Sequence, residues 1–409
     1  MLPSTLRNLP GRLACLSLLV ALPSITTANP LAAVIERALA DDPELRAAQA
    51  AVAAAEARQA GAAKPLNNPE LALDGEHGDT TTVTIGLAQT LDWHDKRGAL
   101  RALADTAVET ARAELTLLRH DKSAALLRAI GRVVTLRRIV ALSTQRVETM
   151  QRFAELAEKR HRAGDIAGAE WELARLSLTE ATIERARHRA ALAEAEGDYR
   201  GATGQPPPER VALPTDIGHL PTPNDDDRHP RLYPPRLALQ AARQQVEAAD
   251  RQRKTDPTVG IAAGREDEQS VIGLHLSLPL RVRNRYDDEV EATRAEALQA
   301  RQRLRQIERS LDAERATAGQ RHRLMAGAWR HWRDEGEQSL TQRIALLEKL
   351  WRAGEIGSTD YLLQVQQTLD TRIAAVELHG DLWDAWVGWL AASGQLLQWL
   401  GTDAEGGAR

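Results

Sequence analysis

The chain has 409 residues, with 53 Lys and Arg against 57 Asp and Glu, a net charge of −4 and a mean hydropathy of −0.40. These values suit a polar folded chain and exclude a bundle of membrane-spanning helices. No basic run is interleaved with aromatics, which excludes nucleic acid as a partner.

One Phe and four Tyr stand beside nine Trp, six of them between Trp329 and Trp389. Ala, Leu, Arg, Glu and Gln fill long stretches with few Gly or Pro, the composition of long packed helices. At the start of the chain Arg7 and Arg12 precede the apolar run Leu13–Ala21, Pro23 breaks it, and Thr26-Thr27-Ala28 supplies small residues for cleavage. Residues 1–28 therefore read as a secretory signal peptide rather than an anchor, because the apolar run is shorter than the roughly 20 residues a span needs. Cys15, the only cysteine, lies inside that run, so the processed chain would carry no disulfide and no thiol nucleophile. Arg12 stands where a lipoprotein signal would place an apolar residue, which argues against lipid anchoring. An exported chain of this kind is periplasmic, secreted or an outer-membrane β-barrel.

Self-similarity organises the rest. Leu156-Ala-Glu-Lys-Arg-His-Arg-Ala-Gly-Asp-Ile166 recurs as Leu346-Leu-Glu-Lys-Leu-Trp-Arg-Ala-Gly-Glu-Ile356, an offset of 190 that also carries Gly204-Gln205 onto Gly394-Gln395. Upstream, Pro69-Glu-Leu-Ala-Leu matches Pro257-Thr-Val-Gly-Ile at an offset of 188. The chain divides into repeat one at 29–220, a Pro/Asp-rich linker at 221–235, repeat two at 236–400 and a tail at 401–409. In repeat one the pattern predicts a helix near 31–62, two strands, a helix from Lys96 to Ala163 and another to Thr203. Repeat two predicts helices near 236–254, 286–353 and 358–400. A helix from Lys96 to Ala163 would reach about 100 Å.

Between Val83 and Trp93 the odd positions Val83, Ile85, Leu87, Leu91 and Trp93 are apolar, with Gln89 among them, and the even ones are small or polar; Ile272, Leu274, Leu276, Leu278 and Leu280 repeat the alternation. Glu70–Glu76 and Thr258–Gly264 are their predicted hairpin partners, through turns at 78–81 and 266–269. Alternating strands of about 10 residues fit transmembrane β-strands, although any one of them would also fit a soluble hairpin packed on a helix. Four strands cannot close a barrel and open edges are not tolerated in lipid, so several chains must share it. A trimer supplies twelve strands. Trp93, beside Lys96 and Arg97, and Arg281 and Arg283 in the equivalent place, are candidate membrane-interface residues.

These repeats, hairpins and paired turns resemble the TolC family of trimeric outer-membrane efflux ducts, and the short length and missing lipoprotein cysteine are similar to its CzcC-like heavy-metal branch. The resemblance implies a mainly α fold with a small β part: a long-helix α-barrel plus four transmembrane strands per chain, in two tandem repeats, with a homotrimer closing a twelve-stranded barrel. It implies a cell outer-membrane duct extending into the periplasm of a Gram-negative cell. Such a duct exports small solutes, heavy-metal cations such as cobalt, zinc or cadmium first among them. Its partners would be a periplasmic membrane-fusion adaptor and an inner-membrane RND-type pump. The tips that meet the adaptor would lie at Gly164 and Asp165, and at Gly354 and Glu355, where glycine also serves simply to reverse the chain. Asp360 would form an acidic ring at the pore entrance, or N-cap the last helix. Alternative readings are a periplasmic coiled-coil adaptor or scaffold, and a duct for drugs or type I secretion.

No catalytic constellation appears, so an enzyme is not expected, nor is a cofactor. The histidines lack metal-site spacing, and His161, His188, His322 and His331 read as solvated helix positions. Asp92, His94 and Asp95 could form a cation site at the barrel base, while Asp225–Asp227 lacks the pattern of a calcium loop. Trp383, Trp386, Trp389 and Trp399 read as one buried stripe.

Overall fold

A computed structural model describes residues 30–223, 229–336, 340 and 343–401. The predicted signal peptide at 1–28, Asp225–Asp227 and the tail beyond Gly401 lie outside the described residues.

Repeat one opens with α1 (Pro30–Ala40) and α2 (Pro43–Ala62) where one helix is predicted. The break has a local cause. Pro43 cannot donate within a helix, and the Asp42 carboxylate instead accepts the backbone N–H groups of Glu44 and Leu45 at 2.9 and 3.0 Å, an N-cap that starts α2 afresh. Strands β1 (Glu70–His77) and β2 (Thr81–Thr90) follow, then α3 (Lys96–Arg162) and α4 (Gly168–Thr203). At 67 residues, α3 is about 100 Å long. Repeat two comprises α5 (Tyr233–Gln252), β3 (Thr258–Glu266), β4 (Gln269–Ser277), α6 (Asp287–His331), α7 (Arg343–Arg352), α8 (Ser358–Ala392) and the short α9 (Leu396–Leu400). The continuous helix predicted over 286–353 is interrupted by a π turn at Trp332–Gly336, a wider turn that shifts the phase of the residues after it.

The four strands form one antiparallel sheet in the order β1-β2-β3-β4, so the repeats pair through β2 and β3. Leu71, Leu87, Ile261 and Leu274 share one rung, and Leu73, Ile85, Ala263 and Ile272 another, which puts the large apolar residues on a single face. Ala72, Gly86, Ala262 and Gly273 form a rung of the opposite face, with Asp74, Thr84, Gly264 and Val271 beside it. A Cβ at Gly86 would lie 3.2 Å from the Ile261 carbonyl oxygen, so small residues on this row let the strands approach closely. The turns are tighter than predicted. Thr81 already pairs with His77, and β3 and β4 are joined through Asp267 and Glu268 alone, with Asp267 at φ 50°. Asp267 also ties the two hairpin ends together, accepting from Thr81 N–H at 2.9 Å while its own N–H donates to Thr81 at 2.9 Å.

Two apolar cores lie along the helices. The first gathers Leu31, Ile35, Leu127, Ile130, Leu382, Trp383, Trp386 and Val387, with Leu213 and Ile217 of the inter-repeat connector buried among them and Trp399 packed against them. Trp383, Trp386 and Trp399 of the expected tryptophan stripe join this core, whereas Trp389 lies outside it and donates from Nε1 to the Pro221 carbonyl at 3.1 Å. Trp383 donates from Nε1 to the Leu127 carbonyl at 2.8 Å and lies over Gly131, where a Cβ would overlap its ring. The second core surrounds Phe153, the chain's only Phe, near the far end of α3.

Candidate channel and docking sites

The sheet has no core of its own. Ile272 and Leu274 are 83% and 87% exposed, and the whole apolar face, with Leu278, Leu280 and Val282 beyond β4, is left uncovered. Among the described residues β1 pairs only with β2 and β4 only with β3, so two edges carry unpaired backbone groups. Apolar surface of this extent is unfavourable in water and suited to hydrocarbon. Beyond the strands, Trp93 is 71% exposed, and the Arg281 guanidinium sits over the Tyr286 ring at 4.8 Å. Arg283 is exposed in the same segment.

Below the sheet, ionic contacts fix the start of each long helix. Lys96 Nζ lies 2.8 Å from Asp256 and donates to the Lys254 carbonyl at 2.7 Å. The two oxygens of Asp92 accept the N–H groups of Lys96 and Arg97 at 2.7 and 2.9 Å. Asp95, in left-handed conformation, accepts from Gly98 at 3.1 Å and pairs with Arg251 at 2.6 Å. Asp92 and Asp95 are thus consumed in capping and pairing, which leaves no cation site at Asp92, His94 and Asp95. Among the described residues no cluster of His, Cys, Asp and Glu could hold a metal ion.

At the far end, both helical hairpins reverse through the same motif. Gly164 and Gly354 adopt φ of 80° and 77°. The next N–H reaches back across the turn: Asp165 to the Arg160 carbonyl at 2.8 Å, Glu355 to the Leu350 carbonyl at 3.0 Å. The glycine N–H groups bond His161 and Trp351 carbonyls, completing two Schellman caps that need a residue without a Cβ. Gly164, Asp165, Gly354 and Glu355 are all exposed. Asp360 is exposed on the third residue of α8, whose N-cap is Gly357, so it does not cap the helix. Its carboxylate still lies in the first turn, where the helix dipole favours negative charge.

The offset of 190 carries further than the turns. Glu170 occupies in α4 the third position that Asp360 holds in α8. His161 stacks on Trp171 with centroids 5.3 Å apart, and the equivalent pair, Trp351 and Tyr361, stacks at 5.0 Å. Each ring pair staples the end of one helix to the start of the next. In repeat one the staple is half-buried and covered by Arg175, 5.1 Å from the Trp171 ring; in repeat two it is buried against Phe153. Burial pushes the Tyr361 hydroxyl up to about 12. Above this core Arg146, almost buried, meets Glu184 at 2.7 Å and Asp370 at 2.9 Å, joining α3 to α4 and α8.

The histidines also depart from the solvated positions expected. His322 is buried, its Nε2 2.6 Å from the Ile217 carbonyl of the connector, and burial lowers its pKa. His188 bonds the Ser143 hydroxyl at 2.6 Å and His161 stacks as above, while His331 is exposed. His379 is buried too, 3.3 Å from Arg138, and burial lowers its pKa.

Residues 34–205, most of repeat one, match the family model described as outer membrane efflux protein. No curated protein matches the sequence significantly. Several solved structures share the fold across both repeats. CusC, described as forming a transmembrane channel, is similar with a TM-score of 0.74 at 14% identity, over 89% of this chain and 91% of that one. The outer membrane protein VceC of Vibrio cholerae gives 0.71 at 19% identity, over 89% and 96%. The outer membrane channel CmeC of Campylobacter jejuni gives 0.74 at 13% identity, over 89% and 85%. A first repeat that matches the outer membrane efflux protein model, a fold shared over 89% of the chain with solved outer-membrane channels and an uncovered apolar sheet on a helical rod converge: the chain has the fold of the TolC-type outer-membrane efflux channels, and its residues 34–205 match that family's model.

Proposed function

We propose that three copies of the chain form a passive outer-membrane duct for heavy-metal cations, fed by a periplasmic adaptor and an inner-membrane pump. The observation that carries the reading is the four-stranded sheet, apolar on one face, small and polar on the other, with both edges unpaired. Joining β4 of one copy to β1 of the next satisfies the edges and gives twelve strands, with the Ala72-Gly86-Ala262-Gly273 face toward the lumen. Trp93, Arg281 and Arg283 then lie at the periplasmic membrane interface.

The helices of the three copies continue the tube, and Gly164, Asp165, Gly354 and Glu355 form the surface that meets the adaptor. Asp360, with Glu170 at the equivalent place, puts carboxylates around the entrance, which attract cations and repel one another. The metal cargo is supported by the resemblance to the CzcC-like branch and by that entrance charge, together with the likeness to CusC.

Two measurements test this. A deletion strain grown on zinc, cobalt and cadmium gradients, with lipophilic drugs in parallel, is expected to show metal sensitivity that the gene restores; sensitivity to drugs alone overturns the cargo. In planar bilayers Asp360→Ala is expected to raise conductance or remove its dependence on divalent cations, and an unchanged channel rejects the ring.

A further inference from the structure

Halfway along the helical body, α3, α8 and the end of α6 enclose a groove of about 440 Å³, within the range of small-molecule sites. Trp329 and Trp332 form one wall, Leu142 and Val376 contribute apolar surface, and Arg138 and Arg372 line it from α3 and α8. The wall depends on the π turn: Trp329 lies in the last turn of α6, Trp332 opens the wider turn, and Trp332 lies over Gly336, where a Cβ would overlap its ring. Trp329 is held by stacking on His379, with centroids 4.6 Å apart.

The electrostatics of this groove are one-sided. Among the described residues its lining contains two guanidinium groups and no carboxylate. Arg138 spends one donor on His379 Nδ1 at 3.3 Å, and Arg372 one on the Gln145 side chain at 3.4 Å. Neither has a carboxylate partner among the described residues, although most arginines elsewhere along α3 do. Two forked cations beside two indole walls present donors for an anion next to faces for a ring. We propose that this groove binds a small organic anion, a carboxylate or sulfonate on an aromatic or alicyclic body, with the anionic group at Arg138 and Arg372 and the body against Trp332. The site stands apart from the tips and the sheet and is independent of the cargo assigned above.

The test is calorimetric titration of the full chain in lipid nanodiscs with 2-naphthoate, against empty nanodiscs, with neutral 2-naphthamide as the comparison ligand. One saturable site per chain is expected, at least tenfold weaker for naphthamide and at least tenfold weaker in Arg138→Gln and in Arg372→Gln. Trp332→Ala is expected to weaken both ligands together. The absence of a saturable site overturns the proposal, as does equal affinity for the neutral amide, or an Arg138→Gln/Arg372→Gln double variant that binds as the parent does. The arginine variants, at exposed or half-buried positions, keep the test decisive should Trp332→Ala fail to fold; unchanged bilayer conductance in the same variants separates this site from the duct itself.

Discussion

Lys96 is the first residue of the 100 Å helix, and its ammonium reaches back to Asp256, just before β3. Both side chains are about nine-tenths buried, at 11% and 10% exposure, so the pair is little screened by solvent. Lys96→Met keeps the length of the stem but leaves the Asp256 carboxylate buried without a counter-charge, and one of its oxygens already lacks a partner. Breaking one side of such a pair costs about 3–5 kcal/mol. Asp256→Asn in the same chain removes the orphaned charge, so the double variant should recover at least about 2 kcal/mol of that loss. Urea unfolding of the detergent-solubilised protein, followed by tryptophan fluorescence at low and at 1 M salt, measures both effects. A Lys96→Met loss under about 1 kcal/mol, a double variant that is simply additive, or an effect abolished by salt would refute the reasoning.

Replacing Gly354 or Gly164 by Val forces a β-branched residue into the left-handed region, at a cost of about 1–2 kcal/mol each; limited proteolysis should then cut at the altered turn, and an unchanged digestion pattern would speak against the cap. The Tyr361 hydroxyl is raised to about 12 in the folded chain, above the unfolded value near 10, so the folded state holds its proton longer. Stability is therefore full below pH 10 and falls between pH 10 and 12, and Tyr361→Phe should flatten that alkaline limb in a pH series of melting curves. His322 and His379 are depressed below the ordinary histidine value by burial, with Arg323 and Arg138 adding to it. Their contribution is present above about pH 6.5 and is lost as pH falls through the folded values, so His322→Gln should reduce the acid sensitivity of the same melting series.

Much of this architecture is legible along the chain, because its rules are local. Strict alternation at 83–91 and 272–280 follows from the two-residue period of a strand, and the repeated Arg-Ala-Gly turns follow from the need for a left-handed cap. The same offset of 190 would have paired Glu170 with Asp360 and His161-Trp171 with Trp351-Tyr361, had it been carried past the turns. Tertiary structure alone decided the rest. The pairing of β2 with β3 joins residues far apart in sequence, and no local pattern specifies it. Which histidines are buried depends on where the connector lies, since His322 is buried by residues about a hundred positions away. The same holds for the tips: Trp351 and His161 occupy equivalent positions, yet only Trp351 meets Phe153 and leaves solvent, because packing between helices, not the period within one, sets what each side chain touches.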